Sequence, residues 1–265
     1  MIQVFIPLYN DITYFPRALV SVLGQQGVEL EVIISDNAST DGSYEHALQI
    51  AAGDPRVKVF RNASNIGPIP NLNRFREYVS ADYYMVLCSD DALGDPTALC
   101  KAQTILDSDS EIVSVYSDMV YIDGNDRKLA TRRFRATGVF DAHRALRNSI
   151  LSYRNCFGIP LLNRKAACAD LRYPEQMTYV ADVYLSYRAA ERGRVFHIAE
   201  PLIWNRYTGR NLTASLFSQS TRQFAELIEI LDLPINSWDR LVRAFRLATV
   251  IPSKYIFLKI ARLRS

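Results

Sequence analysis

The chain reads as an α/β protein with a Rossmann-like, mostly parallel central sheet flanked by helices and with a helical extension at its C-terminal end. Three observations predict this. Short apolar runs alternate with helical stretches of about ten residues, the pattern of a doubly wound sheet with right-handed crossovers. The run Tyr83 to Cys88 carries no turn residue and passes directly into Ser89, Asp90 and Asp91, so a strand buried on both faces ends in two carboxylates. Apolar residues make up 49% of the 265 positions, enough for a large core.

The elements follow in order. Gln3 to Leu8 is a first strand, and Tyr9 to Asp11 leaves it as a loop. Phe15, Leu19, Val22 and Leu23 recur at helical spacing within Tyr14 to Gln25, with Gly27 as the stop. Leu30 to Ser35 is the second strand and breaks into the turn-rich cluster Asp36 to Gly42, ahead of a helix over Ser43 to Ala52. Arg56 to Phe60 is a third strand, followed by a loop holding Asn65, Gly67, Pro68 and Pro70, then a helix over Asn71 to Val79. Tyr83 to Cys88 is the fourth strand and Pro96 to Leu106 a helix.

Beyond this the pattern loosens. Glu111 to Asp123 alternates as one or two strands, Gly124 to Gly138 is a charged loop, and Asp141 to Leu151 is a helix. A buried segment near Phe157 to Leu162, a helix over Val180 to Arg192, a strand Val195 to Ile198 and a segment Leu202 to Tyr207 close the body. The division expected is a body of residues 1–215 and amphipathic basic helices over 216–265.

Composition narrows the class. The four cysteines, Cys88, Cys100, Cys156 and Cys168, show neither close pairing nor CxxC spacing, which argues against a disulfide framework or zinc site and for a reducing cytoplasm. The N-terminus lacks a basic leader, and no apolar run approaches ~18 residues, so neither a signal peptide nor a membrane span is expected. Seven basic residues and no acid lie from Arg240 to the end; against a net charge of +3 this leaves the first 239 residues at −4. Mixed with large apolar residues, that tail has the character of an interfacial segment drawn to anionic lipid, or of a helix that packs on the body or on a second copy. No nucleic-acid motif accompanies it.

The carboxylate pair carries the chemistry. In an open α/β sheet the carboxyl edge is where ligands bind, and adjacent acids there repel unless a cation or donor neutralises them. Hard oxygen ligands suit Mg²⁺ or Mn²⁺ bridging a diphosphate. Turn initiation or capping of the next helix is the alternative role. The histidines His46, His143 and His197 lack ligand spacing and are expected to be structural.

Four separated stretches, IPLYN at Ile6 to Asn10, EVIISDNASTDGS at Glu31 to Ser43, NIGPIPNLNR at Asn65 to Arg74 and SDD at Ser89 to Asp91, together with YVADVYLSYRAAERG at Tyr179 to Gly193, resemble family 2 glycosyltransferases of GT-A fold, which include many bacterial polysaccharide and O-antigen enzymes. The resemblance covers roughly the first 215 residues. It implies that Pro7, Tyr9, Asn10 and Asp36 hold the nucleotide, with Asp36 accepting the N3–H of a uracil or thymine. It implies that Asn71 and Asn73 orient the donor, that Asp90 lies near the ribose, and that Asp91 holds Mn²⁺ or Mg²⁺. Asp182 matches the family's catalytic base, which implies displacement with inversion. The donor implied is a nucleoside-diphosphate sugar, with UDP preferred. The acceptor is a saccharide, on a lipid carrier if the tail meets a membrane at the inner face of the plasma membrane.

The chain departs from the pattern at four places. Leu72 stands where a basic residue often touches the nucleotide, with Arg74 or Arg61 as substitutes. Cys88 stands where many relatives have an acid, and Ala181 replaces the glutamate before the base. Thr208 occupies the place of a histidine that helps hold the metal or diphosphate, a contact that Arg206 or Arg210 would replace. Arg132, Arg133 and Arg135 lie in a charged loop within reach of an anionic acceptor, with plain solvation as the usual role of such a run. Two rival readings remain: a sugar-phosphate nucleotidyltransferase, which needs a Gly-rich basic loop after the first strand that IPLYND lacks, and a non-catalytic nucleotide-sugar-binding scaffold.

Overall fold

The computed structural model of the chain describes residues 1–134, 137–151, 159–168, 170–207, 219–237 and 239–240. The opening half alternates as expected: β1 (Ile2–Leu8), α1 (Phe15–Leu23), β2 (Leu30–Asp36), α2 (Ser43–Gly53), β3 (Val57–Arg61), α3 (Pro68–Asn73), α4 (Phe75–Tyr78) and β4 (Tyr83–Val86). There follow β5 (Ala92–Leu93), α5 (Ala98–Ser108), β6 (Ile112–Ile122), β7 (Lys128–Arg132), β8 (Gly138–Phe140), α6 (Ala142–Leu151), β9 (Leu162–Arg164), α7 (Lys165–Cys168), α8 (Ala181–Ala190), β10 (Arg194–Arg206) and α9 (Ser220–Ile230).

The strands form one mixed sheet in the order β3-β2-β1-β4-β9-β6-β10-β5, with β7 added on β6 and β8 on β10. β3, β2, β1 and β4 are parallel, as are β6 and β10; β9 runs against both β4 and β6 and so joins the two parallel blocks in one direction. The carboxyl ends of β1, β2 and β4 therefore lie side by side, with Leu8 level with Asp36 and Phe5 level with Val86.

Side-chain alternation along β1 explains how the layers pack. Ile2, Val4, Ile6 and Leu8 enter a core shared with Phe15, Leu19 and Val22 of α1 and Leu99, Ala102 and Leu106 of α5. Phe5 faces the opposite side, among Ile69, Phe75, Tyr84, Leu171 and Leu185. A third cluster packs α6, α8 and α9 against Val113, Tyr116 and Val195.

Four expectations change. The stretch expected as a charged loop contains β7, which pairs antiparallel with β6 and is half-exposed along most of its length, so its polar residues hid a strand. The two segments around Pro201 are one continuous strand, β10, with register shifts on either side of that proline, which lacks a donor for the ladder. The single helix expected after the Gly-Pro loop is two short ones broken at Arg74. β4 ends at Val86, although the Leu87 amide still donates to Phe5 at 2.9 Å. Arg135, Cys156, Thr208, Arg210 and the basic tail beyond Arg240 lie outside the described residues. Among those described, no helix is long and apolar enough to cross a membrane.

Gly94 follows β5 where an added Cβ would overlap the indole of Trp204. Gly94→Ala is expected to destabilise the fold by about 1–3 kcal/mol through overpacking, read as a lower urea midpoint with an unchanged slope.

Candidate active site

The loops after β1 and β2 form one stitched surface. Asn10 sits at φ 48, a conformation that asparagine tolerates better than most residues. There its backbone amide donates to Ser39 Oγ (3.0 Å), and its side-chain carbonyl accepts from the Thr40 amide (2.8 Å). The amides of Asp11 and Ile12 donate to Ser43 Oγ and Asp41 Oδ2, both at 3.0 Å. This binding leaves Tyr9 47% exposed at the rim and Pro7 half-buried in the last turn of β1.

Asp36 lies under this surface. It is fully buried; its carboxylate accepts from the Ser39 amide and lies 3.2 Å from Arg61 Nε. Arg61 in turn donates to the Ser39 carbonyl and covers the Tyr44 ring at 4.0 Å. Asp36 thus shapes the loop from below. Asn71 is similarly internal: its amide group donates to the Ser35 carbonyl, and its oxygen accepts from Ser35 Oγ and Asn62 Nδ2. Asn73 exchanges two hydrogen bonds with the backbone of Tyr173, at 2.8 and 2.9 Å. The two asparagines expected to touch the donor instead fasten the loop before α3 and the segment leading to α8. Of the proposed substitutes for a basic residue at Leu72, Arg61 is paired with Asp36 and Arg74 with Glu77 at 2.6 Å.

The acid pair is held by β10. β5 pairs antiparallel with it, Ala92 level with Trp204, which brings Asp91 opposite Asn205. Asp91 is 3% exposed. Its carboxylate accepts from Asn205 Nδ2 (3.0 Å) and from the Arg206 amide (2.8 Å). The Arg206 side chain, 1% exposed, runs beneath the pair. It donates to the Asp90 carbonyl (2.8 Å) and the Asp123 carbonyl (3.0 Å), pairs with Asp126 at 2.6 Å and lies over the Tyr14 ring. Its place is below the site rather than on a ligand-facing surface.

Asp11, absent from the candidates read in the sequence, joins the acids: its carboxylate accepts from Ser89 Oγ at 2.8 Å. Burial, with Asp90 nearby, pushes it up to about 6. Burial first, then Asp90, holds Asp91 well above the usual carboxylate range. Asp182 occupies the first turn of α8. Burial raises the Cys88 thiol, and so do the charges of Asp91, Asp90, Asp182 and Asp11. The loop after β1, the end of β4 and the start of α8 therefore meet at one place. The signal for Asp11 was its position, directly after IPLYN at a carboxyl edge. Asn205 gave none, since only strand pairing brings it to Asp91.

The ligand atoms of Cys88, Asp90 and Asp91 lie within 4.8 Å of one another, and no histidine belongs to this group among the described residues. Two oxygen donors and a sulfur, crowded by further acids, are a donor set that fits a divalent cation.

Residues 3–168 match the model of Glycosyl transferase family 2. The chain belongs to this family. It is 31% identical over 133 residues to an uncharacterized glycosyltransferase of Haemophilus influenzae, covering 49% of this chain and 52% of that protein. It is 34% identical over 116 residues to abequosyltransferase RfbV of Salmonella typhimurium, covering 42% and 34%. The chain thus spans about half or less of the length of these two relatives. S. aureus TarS 1–349 in complex with UDP-GlcNAc superposes with a TM-score of 0.68 at 19% identity, covering 93% of this chain and 71% of that one. A mannosyltransferase of Pyrobaculum calidifontis in complex with GDP-Man and Mn²⁺ superposes at 0.66 and 15% identity, covering 98% and 73%. At these identities the likeness shows the GT-A fold.

Two predictions follow from the geometry. Asp11 has a folded pKa of about 6 against an ordinary 3.8, so its contribution to stability is fully present below 3.8 and is lost as the pH rises through 6. In cation-free buffer, Asp11→Asn should therefore gain stability relative to the parent between pH 4 and pH 7.5, read from urea midpoints; parallel curves would contradict this. Arg206→Met leaves two carbonyls without their donor, and is expected to cost about 2–4 kcal/mol and to weaken cation binding at Asp91 by isothermal titration.

Proposed function

We propose that the chain transfers a glycosyl group from a nucleoside-diphosphate sugar, a UDP-sugar by preference, to a saccharide acceptor with inversion at the anomeric carbon. The observation that carries this is the meeting of Asp90, Asp91 and Asp182 beside the loop after β1, at the carboxyl edge where α/β sheets bind ligands. The bound nucleotide sugars of the two structural relatives support it, and the Mn²⁺ of one supports a divalent cation.

In this reading Tyr9, Asn10 and Pro7 form the nucleotide surface, with Asp36, Asn71 and Asn73 holding that surface in shape from beneath. Asp90 meets the ribose. Asp91 holds Mn²⁺ or Mg²⁺ with Cys88 and Asp90 adjacent, and Arg206 keeps that turn in place. A cation bound there neutralises charge developing on the leaving diphosphate. Asp182 accepts the proton of the attacking acceptor hydroxyl as the new C–O bond forms and the bond to the diphosphate breaks. The entering and leaving oxygens lie on opposite faces of the sugar carbon, which inverts it.

The acceptor we propose is a saccharide on a lipid carrier, in assembly of a bacterial surface polysaccharide. The abequosyltransferase relative supports a saccharide product. The basic, apolar tail supports a cytoplasmic protein peripheral to the inner face of the plasma membrane, with a homodimer contact as the other use of those residues.

Thermal-shift titration with UDP-sugars should raise the melting temperature more with Mn²⁺ than with EDTA, because ligand binds only the native state. Asp182→Asn should keep that shift while losing transfer by roughly 10²–10⁴-fold, and Asp91→Asn should lose the Mn²⁺-dependent part. A parent protein that binds UDP-sugars yet turns none over with any saccharide acceptor would point to the scaffold reading.

A further inference from the structure

We infer that Cys88 is itself a ligand of the cation at the Asp90–Asp91 turn, so that this site selects a thiophilic or borderline ion such as Co²⁺ or Zn²⁺ over Mg²⁺. The inference rests on the cation site proposed above and says which residue sets its selectivity.

The turn creates the juxtaposition. The Asp91 amide donates to the Cys88 carbonyl at 3.1 Å, which folds the chain back so that side chains two and three residues apart come together. The sulfur and one oxygen from each aspartate lie within 4.8 Å of one another. At tetrahedral or octahedral angles, with metal–sulfur and metal–oxygen distances of about 2.3 and 2.1 Å, ligand atoms on one ion stand about 3.1–3.6 Å apart, so the set closes on an ion by rotation of the three side chains. Cys88 is half-buried between the acids. The charged groups acting on it are Asp91, Asp90, Asp182 and Asp11, all acidic. The nearest strong cation, the Arg206 guanidinium, is held on the Asp90 and Asp123 carbonyls and on Asp126.

A bound divalent ion supplies the missing positive charge and favours the thiolate, with release of a proton on binding. Carboxylate oxygens alone do not discriminate against Mg²⁺, whereas a sulfur ligand does, because Mg²⁺ prefers six hard oxygens in regular geometry. Cys168 is a poor competitor for the same ion: it is buried beside Tyr84.

Cobalt reports sulfur ligation directly. With the full chain and UDP present, Co²⁺ should produce a thiolate-to-cobalt charge-transfer band that saturates at one ion per chain. The band should vanish in Cys88→Ser while Co²⁺ still binds by calorimetry. In Cys88→Asp the preference for Zn²⁺ over Mg²⁺ should fall by about tenfold or more. Co²⁺ binding without that band in the parent, or a band that survives in Cys88→Ser, would overturn the inference and leave the cation site standing. Failure of Co²⁺, Zn²⁺, Mn²⁺ and Mg²⁺ alike to bind the UDP-loaded parent would overturn the cation site itself.

Discussion

The active-site edge depends on one buried guanidinium. Arg206 reaches from the end of β10 under the acid turn to the tip of the β6–β7 hairpin, and fixes three chain segments that share no strand pairing among themselves: Asp90, Asp123 to Asp126, and Tyr14 at the start of α1. A rigid planar fork suits this task, since it presents several donors at set angles. Burying such a charge is unfavourable unless its donors are met, and here two carbonyls and a carboxylate meet them. Asp126 is shared: its second oxygen accepts from Arg17 of α1 at 2.6 Å, which ties the hairpin tip to the helix that follows the β1 loop.

The residues gathered above this support are arranged against their own electrostatic preference. Asp11, Asp90, Asp91 and Cys88 crowd together, and burial and the neighbouring acids both oppose the charged forms of Asp11, Asp91 and Cys88. A fold selected for stability alone would not place them so. The cost is tolerable because the surrounding structure over-determines the geometry, with Asn205 and a β10 amide on Asp91 and Ser89 on Asp11. An arrangement of this kind favours positive charge that relieves it.

Polar side chains elsewhere serve the same end by fixing loops. Asn37, Asn62 and Asn71 form a buried amide network at the ends of β2 and β3, joined by the exposed Asn65, in which Asn37 Oδ1 accepts from Asn62 and from the Ile66 amide. A satisfied network of this sort specifies one loop conformation more sharply than an apolar contact would. It explains why the loops at the ends of β2 and β3, rich in small polar residues, have a defined shape.

Much of this was legible in the linear chain. The alternation of apolar runs determined the β-α order through β4, because each strand buried on both faces must be apolar throughout. The turn-rich breaks after Leu8, Ser35 and Cys88 determined that the polar residues Asn10, Asp36, Asp90 and Asp91 would share a carboxyl edge. Only tertiary structure decided what each polar group does there. Asn71, Asn73 and Arg206 have the chemistry of ligand contacts, but partners 36 to 116 residues away in sequence take up their hydrogen bonds, and Asp36 is paired with Arg61 of β3. Asp11 and Asn205 were unremarkable in sequence and became part of the site through a hydroxyl from Ser89 and an antiparallel register with β5. Local pattern dictates where a side chain emerges. Its role is decided by which distant donor or acceptor reaches it before solvent or ligand does.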